Sequence, residues 1–472
     1  MRRTKIVATL GPASRDPDVL RSLIQTGVDV VRLNFAHDTP AAHREAAELT
    51  RSIAHEAGRI VGVLVDLPGP KMRTGPIERG EVSLQTGQEF VLAGGAEQGD
   101  AERVSTSVGG LAGMVDDGEE IFLADGEIVL KVVGLDGKDV RTEVLRGGIL
   151  RSRKGMHLPH SENSIEAFTA EDHAALMACL DFKADLVGLS FVRDAEDVER
   201  ARAALPQDGH RPLVVAKIET ASGVENIDSI VQIADVVMVA RGDLGIQTPL
   251  HRVPILQKEI IRTCNEYGKA VITATQMLES MTDSLLPTRA EVTDVANAVL
   301  DGTDALMLSE ETAVGHNPVA TVKTMAQIAE TAEVRLRRPG AAVQWHPGDD
   351  RVSWAVAHAA VQAAEDLKVA AILCPTRSGA TPRRVAAFRP RMPVVGLTSH
   401  RGTLGALSMT WGVIPVEMPP WPEARDERDD IQRTVDAAVE MGVVTIGQLA
   451  AVVSGSPDRR AGRTDSVRVV RI

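Results

Sequence analysis

Eight short apolar runs, each followed by a stretch with helical periodicity, occupy the first 330 or so residues. They read TKIVATL, VDVVRLNF, RIVGVLVDL, ADLVGLSFV, PLVVAKIE, ADVVMVARGDL, AVITATQM and DALMLS. None alternates apolar with polar, as a strand with one wet face would. Continuous apolarity is what parallel strands need when helices cover both faces of the sheet. The helices between them are well marked. Thr288 and Glu291 have capping-box spacing, Val292, Val295, Ala296 and Val299 form one apolar face, and Gly302 stands just past the end. Pro254 opens another helix, with Leu256, Ile260 and Cys264 on one face and Gly268 as its stop. Eight such units predict a (β/α)8 barrel in an α/β protein.

The rhythm breaks once. From about 72 to 153 the chain turns to alternating strands with Gly-rich turns, and Asp-Gly at 125–126 and 136–137 reads as hairpin turns. The expected organisation is a catalytic barrel from 1–71 and 154–340, with a small antiparallel β-barrel lid inserted at 72–153. After a Pro/Gly-rich linker, a C-terminal α/β regulatory domain is expected at 350–472. A length of 472 residues suits two to four domains. Three distant cysteines, Cys179, Cys264 and Cys374, make neither a disulfide framework nor a zinc site. No apolar run reaches the roughly 20 residues of a membrane span, and the basic start lacks a signal-peptide core. A cytoplasmic location with no membrane partner is expected. The net charge of −13 argues against a nucleic-acid partner. An anionic substrate would then need cations gathered at one point against the average field.

Such a gathering is visible at the strand ends, where barrel chemistry collects. Strand two ends in Arg32 and Asn34, strand three in Asp66, and strand five in Lys217 and Glu219. Strand six ends in Arg241, Gly242 and Asp243, strand seven in Thr275, and strand eight in Ser309, Glu310 and Glu311. Residues two apart share a strand face, which pairs Lys217 with Glu219 and Arg32 with Asn34. Any one of these reads equally as a solvated cap. Together, three cations and two acids suit a divalent metal and a phosphorylated anion. Glu219 and Asp243 have the character of Mg²⁺ ligands, and Arg32, Lys217 and Arg241 that of phosphoryl countercharges.

The segments TKIVATLGPAS, VVRLNFAH, DLPGPKMRTG, KGMHLP, AKIET, MVARGDLGI, ATQMLESM and DALMLSEETAVG resemble the pyruvate kinase family, in that family's order, from residue 4 to about 316. The resemblance implies phosphoryl transfer from phosphoenolpyruvate to ADP, giving pyruvate and ATP in glycolysis, with Mg²⁺ or Mn²⁺ as cofactor. It assigns Lys217 to the transferring phosphoryl group and enolate oxygen, Arg32 to phosphate, and Glu219 and Asp243 to the metal. The backbone from Ala240 to Asp243 would receive the substrate carboxylate, with Thr275 beside it on the proton-delivery side. Asn34, His37, Arg73 and Lys154 match nucleotide-side positions, and a homotetramer is what the family suggests.

Three positions depart from the common pattern. Members of the family hold K⁺ beside the substrate phosphate with an Asn and Ser from one stretch and an Asp and Thr from another. Here Ala36 and Leu67 replace the serine and threonine, and Lys71 stands where a glutamate is common. Two oxygen ligands are lost. A Lys71 ammonium held by Asp66, and by Asn34, would supply the missing charge, so K⁺ is expected not to be required; a potassium-independent branch shows the same Leu…Lys pattern. A solvent-facing hinge lysine is the plain alternative.

In the C-terminal part, Thr376, Ser378, Gly379 and Thr381 precede a helix bearing Arg383 and Arg384. Hydroxyls and backbone N–H groups there suit a phosphate, and the family places a sugar-phosphate or nucleotide effector at the matching loop. A capped βα turn fits the same residues, and the Arg-rich tail SGSPDRRAGRTDSVRV adds candidate phosphate contacts. Two other functions fit less well. Metal-dependent aldolases and lyases of phosphoenolpyruvate or pyruvate need neither the insert nor Arg73 and Lys154. A silent scaffold would be expected to lack part of the charged set.

Overall fold

The computed structural model describes residues 2–70, 72–95, 98–158, 166–206, 210–336, 343–344, 346, 350–420, 427–455 and 463–472. Its centre is a closed barrel of eight parallel strands: Lys5–Thr9, Val30–Asn34, Gly62–Asp66, Leu186–Leu189, Leu213–Ile218, Val236–Ala240, Ala270–Ala274 and Ala305–Leu308. These fall within the eight apolar runs, and the first strand closes on the eighth in the register Lys5↔Ala305. Val7, Val30, Leu64, Leu186, Val215, Met238, Ile272 and Met307 pack inside, and a larger apolar layer lies between the strands and their helices. Burial on both faces is the reason the runs do not alternate. Met409 joins the interior cluster from far along the chain and seals the floor.

The capped helix spans Arg289–Asp301 with the reciprocal Thr288–Glu291 box, and Gly302 takes the left-handed conformation at its end. Val295 and Val299 are buried, whereas Val292, expected on the same face, is 37% exposed. It sits in the first turn of the helix. The other marked helix runs Val253–Glu266 with Leu256, Ile260 and Cys264 buried.

Between the third and fourth barrel strands lie a six-stranded sheet and a two-stranded one, with their own core around Phe90, Leu92, Ile121 and Leu130. The larger sheet is antiparallel except where Glu89–Ala93 runs parallel to Arg103–Ser105. It takes in Met156–His157, just past the limit expected from sequence. Asp125 and Gly126 both have positive φ in the first hairpin; the second turns on Gly137 and Lys138, with Asp136 as its last paired residue.

The C-terminal sheet has the order Val413–Glu417, Val394–Thr398, Ala371–Pro375, Leu449–Ser454, Ser466–Arg471, parallel except for the last pair. Its junction with the barrel floor is polar and close-packed. Arg389 is 5% exposed and meets Asp304 with both terminal nitrogens, at 3.1 and 3.0 Å, beneath the ring of Trp411. A Cβ on Gly405 would lie 2.1 Å from Asp185, and one on Gly402 would lie 2.4 Å from His210, so helix Arg401–Leu407 meets the barrel backbone-close.

Candidate active site

Five strand ends bring their side chains to one point. Arg32 donates from Nε and Nη2 to Asp66 Oδ2 at 2.8 and 2.5 Å, and from Nη1 to Thr9 Oγ1 at 3.1 Å. Lys217 Nζ lies 3.0 Å from Asp66 Oδ1, 2.9 Å from Glu219 Oε1 and 2.7 Å from Ser190 Oγ. Asp66 therefore bridges the two cations, and it is 1% exposed. Burial alone would raise its pKa, but Lys217 and Arg32 prevail and hold it at about 2. Burial likewise opposes charge on Lys217, yet Asp66 and Glu219 keep the ammonium's pKa above its ordinary value. Glu219 moves the other way. Its burial, and the nearby Asp243 carboxylate, outweigh Lys217 and raise its pKa.

Local backbone aims these groups. Gly188 leaves room in strand four: a Cβ there would sit 3.1 Å from Asp66 Oδ1 and 3.6 Å from the Lys217 stem. After Asp66, the Pro-Gly-Pro turn passes Gly69 at φ 65°, against Ser190. The Phe191 N–H donates to Glu219 Oε2 at 2.7 Å. Thr275 adopts φ 64°, unusual for a β-branched residue. Its Oγ1 accepts the Gly242 N–H at 2.8 Å, linking the loop after strand seven to the start of helix Arg241–Gln247.

Above this group opens a cleft of about 930 Å³, mouth included, between barrel and inserted sheet. Asp243, Arg73 and Lys154 line it, together with Asp125 and His157 from the insert. Asn34 pairs with Asp66 in register, and its Oδ1 accepts the Ala36 N–H. His37 is exposed and does not line the cleft. Lys71 lies outside the described residues, as do residues 456–462 of the Arg-rich tail.

Arg241 does not join the group. Its guanidinium reaches Asp294 at 2.6 Å and the Thr275 carbonyl at 2.7 Å, and it also meets the Gln276 carbonyl and Met277 Sδ. It braces the loop after strand seven and does not face the mouth, a correction to its reading as a phosphoryl countercharge. Being the first residue of a helix, it leaves the strand's inward-facing register. Sequence reasoning passed over Thr9, Ser190 and Gly188; ATLG and LVGLS held them in plain view, but nothing in spacing marks a small residue as a cation's neighbour.

Arg32, Lys217, Asp66, Glu219 and Asp243 set two cations against three carboxylates. A phosphorylated anion needs more positive charge than that. The two mutually repelling acids, Glu219 and Asp243, are the donors a divalent cation would satisfy, so the residues present fit Mg²⁺ or Mn²⁺.

In the C-terminal sheet's loop, Thr376 Oγ1 accepts the Gly379 N–H and Thr381 Oγ1 meets Thr464 Oγ1 at 2.7 Å. Both threonines are buried, Thr376 bonded within the loop and Thr381 to the C-terminal segment, while Ser378 is exposed.

The comparisons agree with this architecture. A family model described as pyruvate kinase, barrel domain, matches residues 1–322, and one described as pyruvate kinase, alpha/beta domain, matches residues 354–470. The chain is 40% identical to a pyruvate kinase of Geobacillus stearothermophilus over 99% of this chain and 80% of that one. It is 39% identical to one from Corynebacterium glutamicum, over 99% and 97%, and 37% identical to one from Thermotoga maritima, over the full length of both. With strand ends, insert and C-terminal sheet arranged as described, the chain belongs to the pyruvate kinase family.

Proposed function

We propose that this protein transfers the phosphoryl group of phosphoenolpyruvate to ADP. The observation that carries the reading is the Lys217 ammonium, fixed among Asp66, Glu219 and Ser190 beside the Arg32 guanidinium. Arg32 holds the donor phosphate. Lys217 stabilises charge on the moving phosphoryl group and on the enolate oxygen left when the P–O bond breaks. Thr275 and the Gly242–Asp243 backbone seat the substrate carboxylate, and Thr275 marks the side from which the enolate carbon takes its proton. Arg73 and Lys154 meet ADP across the cleft, with Asn34 and His37 on the nucleotide side, and the inserted sheet keeps water out. Glu219 and Asp243 would hold Mg²⁺ or Mn²⁺, which supplies countercharge to the phosphoryl oxygens.

Potassium is not needed in this reading. The Asp66 carboxylate is shared by Arg32 and Lys217, Asn34 Oδ1 is turned to its own loop, and Ala36 and Leu67 carry no side-chain oxygen. Lys71 supplies the charge instead. A cytoplasmic homotetramer is part of the same proposal, supported by exposed Leu250, Ile255, Leu285 and Leu286 along the barrel flank. The loop from Thr376 to Thr381 would take a sugar-phosphate or nucleotide effector at Ser378.

The test is a coupled pyruvate assay in tetramethylammonium buffer with Mg²⁺, using Lys217→Met as control. Activity that is full without K⁺, lost on chelation and lower by about 10²–10³ in the variant is expected. A many-fold rise on adding K⁺ refutes the potassium reading, and no pyruvate from the wild type refutes the whole.

A further inference from the structure

Lys217 and Arg32 share a construction that their charges do not require. Each leans on Asp66, and each also donates to a buried hydroxyl on a neighbouring strand. Ser190 Oγ accepts from Lys217 Nζ at 2.7 Å and donates to the Leu67 carbonyl at 2.8 Å. Thr9 Oγ1 accepts from Arg32 Nη1 at 3.1 Å and donates to the Leu308 carbonyl at 2.8 Å. The two hydroxyls are 1% and 4% exposed. With its own proton committed to a carbonyl, each turns only lone pairs toward the cation.

We propose that Ser190 and Thr9 are positioning residues for this phosphotransferase, each fixing the direction of one cation without neutralising it. The inference rests on the phosphoryl-transfer reading above. A further carboxylate in either place would hold the cation as firmly and add to the negative charge that the phosphoryl group must meet. A hydroxyl oriented by a carbonyl supplies a second point of attachment and no net charge, and the linked hydrogen bonds strengthen one another in the dry interior.

The consequences differ for the two cations. The Lys217 ammonium donates to Ser190 and stands within ion-pair distance of Asp66 and Glu219. When Glu219 serves a metal, Asp66 and Ser190 remain, and together they fix where the ammonium stands. Arg32 has its planar fork held at Asp66 on one side and Thr9 on the other. That sets the plane in which it meets the donor phosphate. Ser190 is confined from outside as well, because the Gly69 backbone packs so closely that a Cβ there would lie 2.6 Å from Ser190 Cβ.

The two signatures are separable in steady-state kinetics of the full chain. Ser190→Ala acts through Lys217 and should lower kcat by about 10–100-fold while KM for ADP stays within about twofold. Ser190→Cys, close in shape but a weak acceptor, should show the same loss if the alanine variant does not fold. In a Lys217→Met background, Ser190→Ala should change kcat by less than about twofold. Thr9→Val acts through Arg32 and should raise KM for phosphoenolpyruvate, weaken its binding by calorimetry, and be rescued by Thr9→Ser. The proposal is overturned by wild-type kcat in both Ser190 variants, or by an equal Ser190→Ala loss with and without Lys217. An unchanged phosphoenolpyruvate affinity in Thr9→Val, or no rescue by Thr9→Ser, overturns the Thr9 part. Such failures in an active enzyme are distinct from a wild type that makes no pyruvate, which would overturn the parent reading too.

Discussion

Asp66→Asn removes the one group that both Arg32 and Lys217 lean on. In the folded protein Lys217 and Arg32 hold the Asp66 carboxyl at about 2, below the ordinary 3.8. The gap corresponds to about 2 kcal/mol of preference for the charged form. Asp66 is 1% exposed, so solvent screens little of it. Losing one partner of a buried pair commonly costs about 3–5 kcal/mol, because the cations left behind remain desolvated. Since the folded pKa lies below the unfolded one, the contribution is complete above about pH 4 and falls away as pH drops toward 2. Urea unfolding, read by amide exchange in strand Gly62–Asp66, should place the variant about 2–5 kcal/mol below wild type at pH 7. The difference should narrow between pH 4 and pH 2.5. With both cations loosened, kcat should fall by about 10². Equal stability at pH 7, or a difference that persists unchanged in acid, would refute the ion-pair argument.

Two substitutions test the surrounding scaffold. Gly69→Ala places a side chain at φ 65° against Ser190, and should cost about 1–3 kcal/mol in thermal melts together with a drop in kcat; unchanged melting and turnover would dismiss the close contact. Arg389→Met leaves Asp304 buried without its guanidinium and should lower stability by about 3–5 kcal/mol, seen as an earlier melt and faster proteolysis. A melt at the wild-type temperature would mean the pair carries no weight.

The barrel was legible because every strand is covered on both faces, so its sequence is simply apolar, and several strands end abruptly in charge. Lys217 and Glu219, two residues apart at such an end, come together as a strand's period requires. Arg241 was misread because the same strand-end logic stops where a helix begins: one residue past Ala240 the side chain swings behind the next loop. Ser190 and Thr9 were invisible for a different reason. A hydroxyl gains its meaning from which carbonyl takes its proton, and Leu67 and Leu308 lie 123 and 299 positions away in the chain. Val292 matched the helical period but is exposed, since periodicity fixes a face and not the extent of what covers it.

The floor and the mouth of the barrel are joined to their neighbours in unequal ways. Below, Gly402 and Gly405 bring a helix backbone against Asp185 and His210, and Arg389 is bolted to Asp304. Above, the inserted sheet connects through two chain crossings, tied where Thr74 N–H meets the Lys154 carbonyl and Met156 N–H the Met72 carbonyl. The end that opens onto the cleft is thus the one held by the lighter tether. Any rocking that admits and then shuts in a nucleotide has its pivot at those crossings, next to Arg73 and Lys154, so the residues that would greet the nucleotide also sit on the axle of the movement that encloses it.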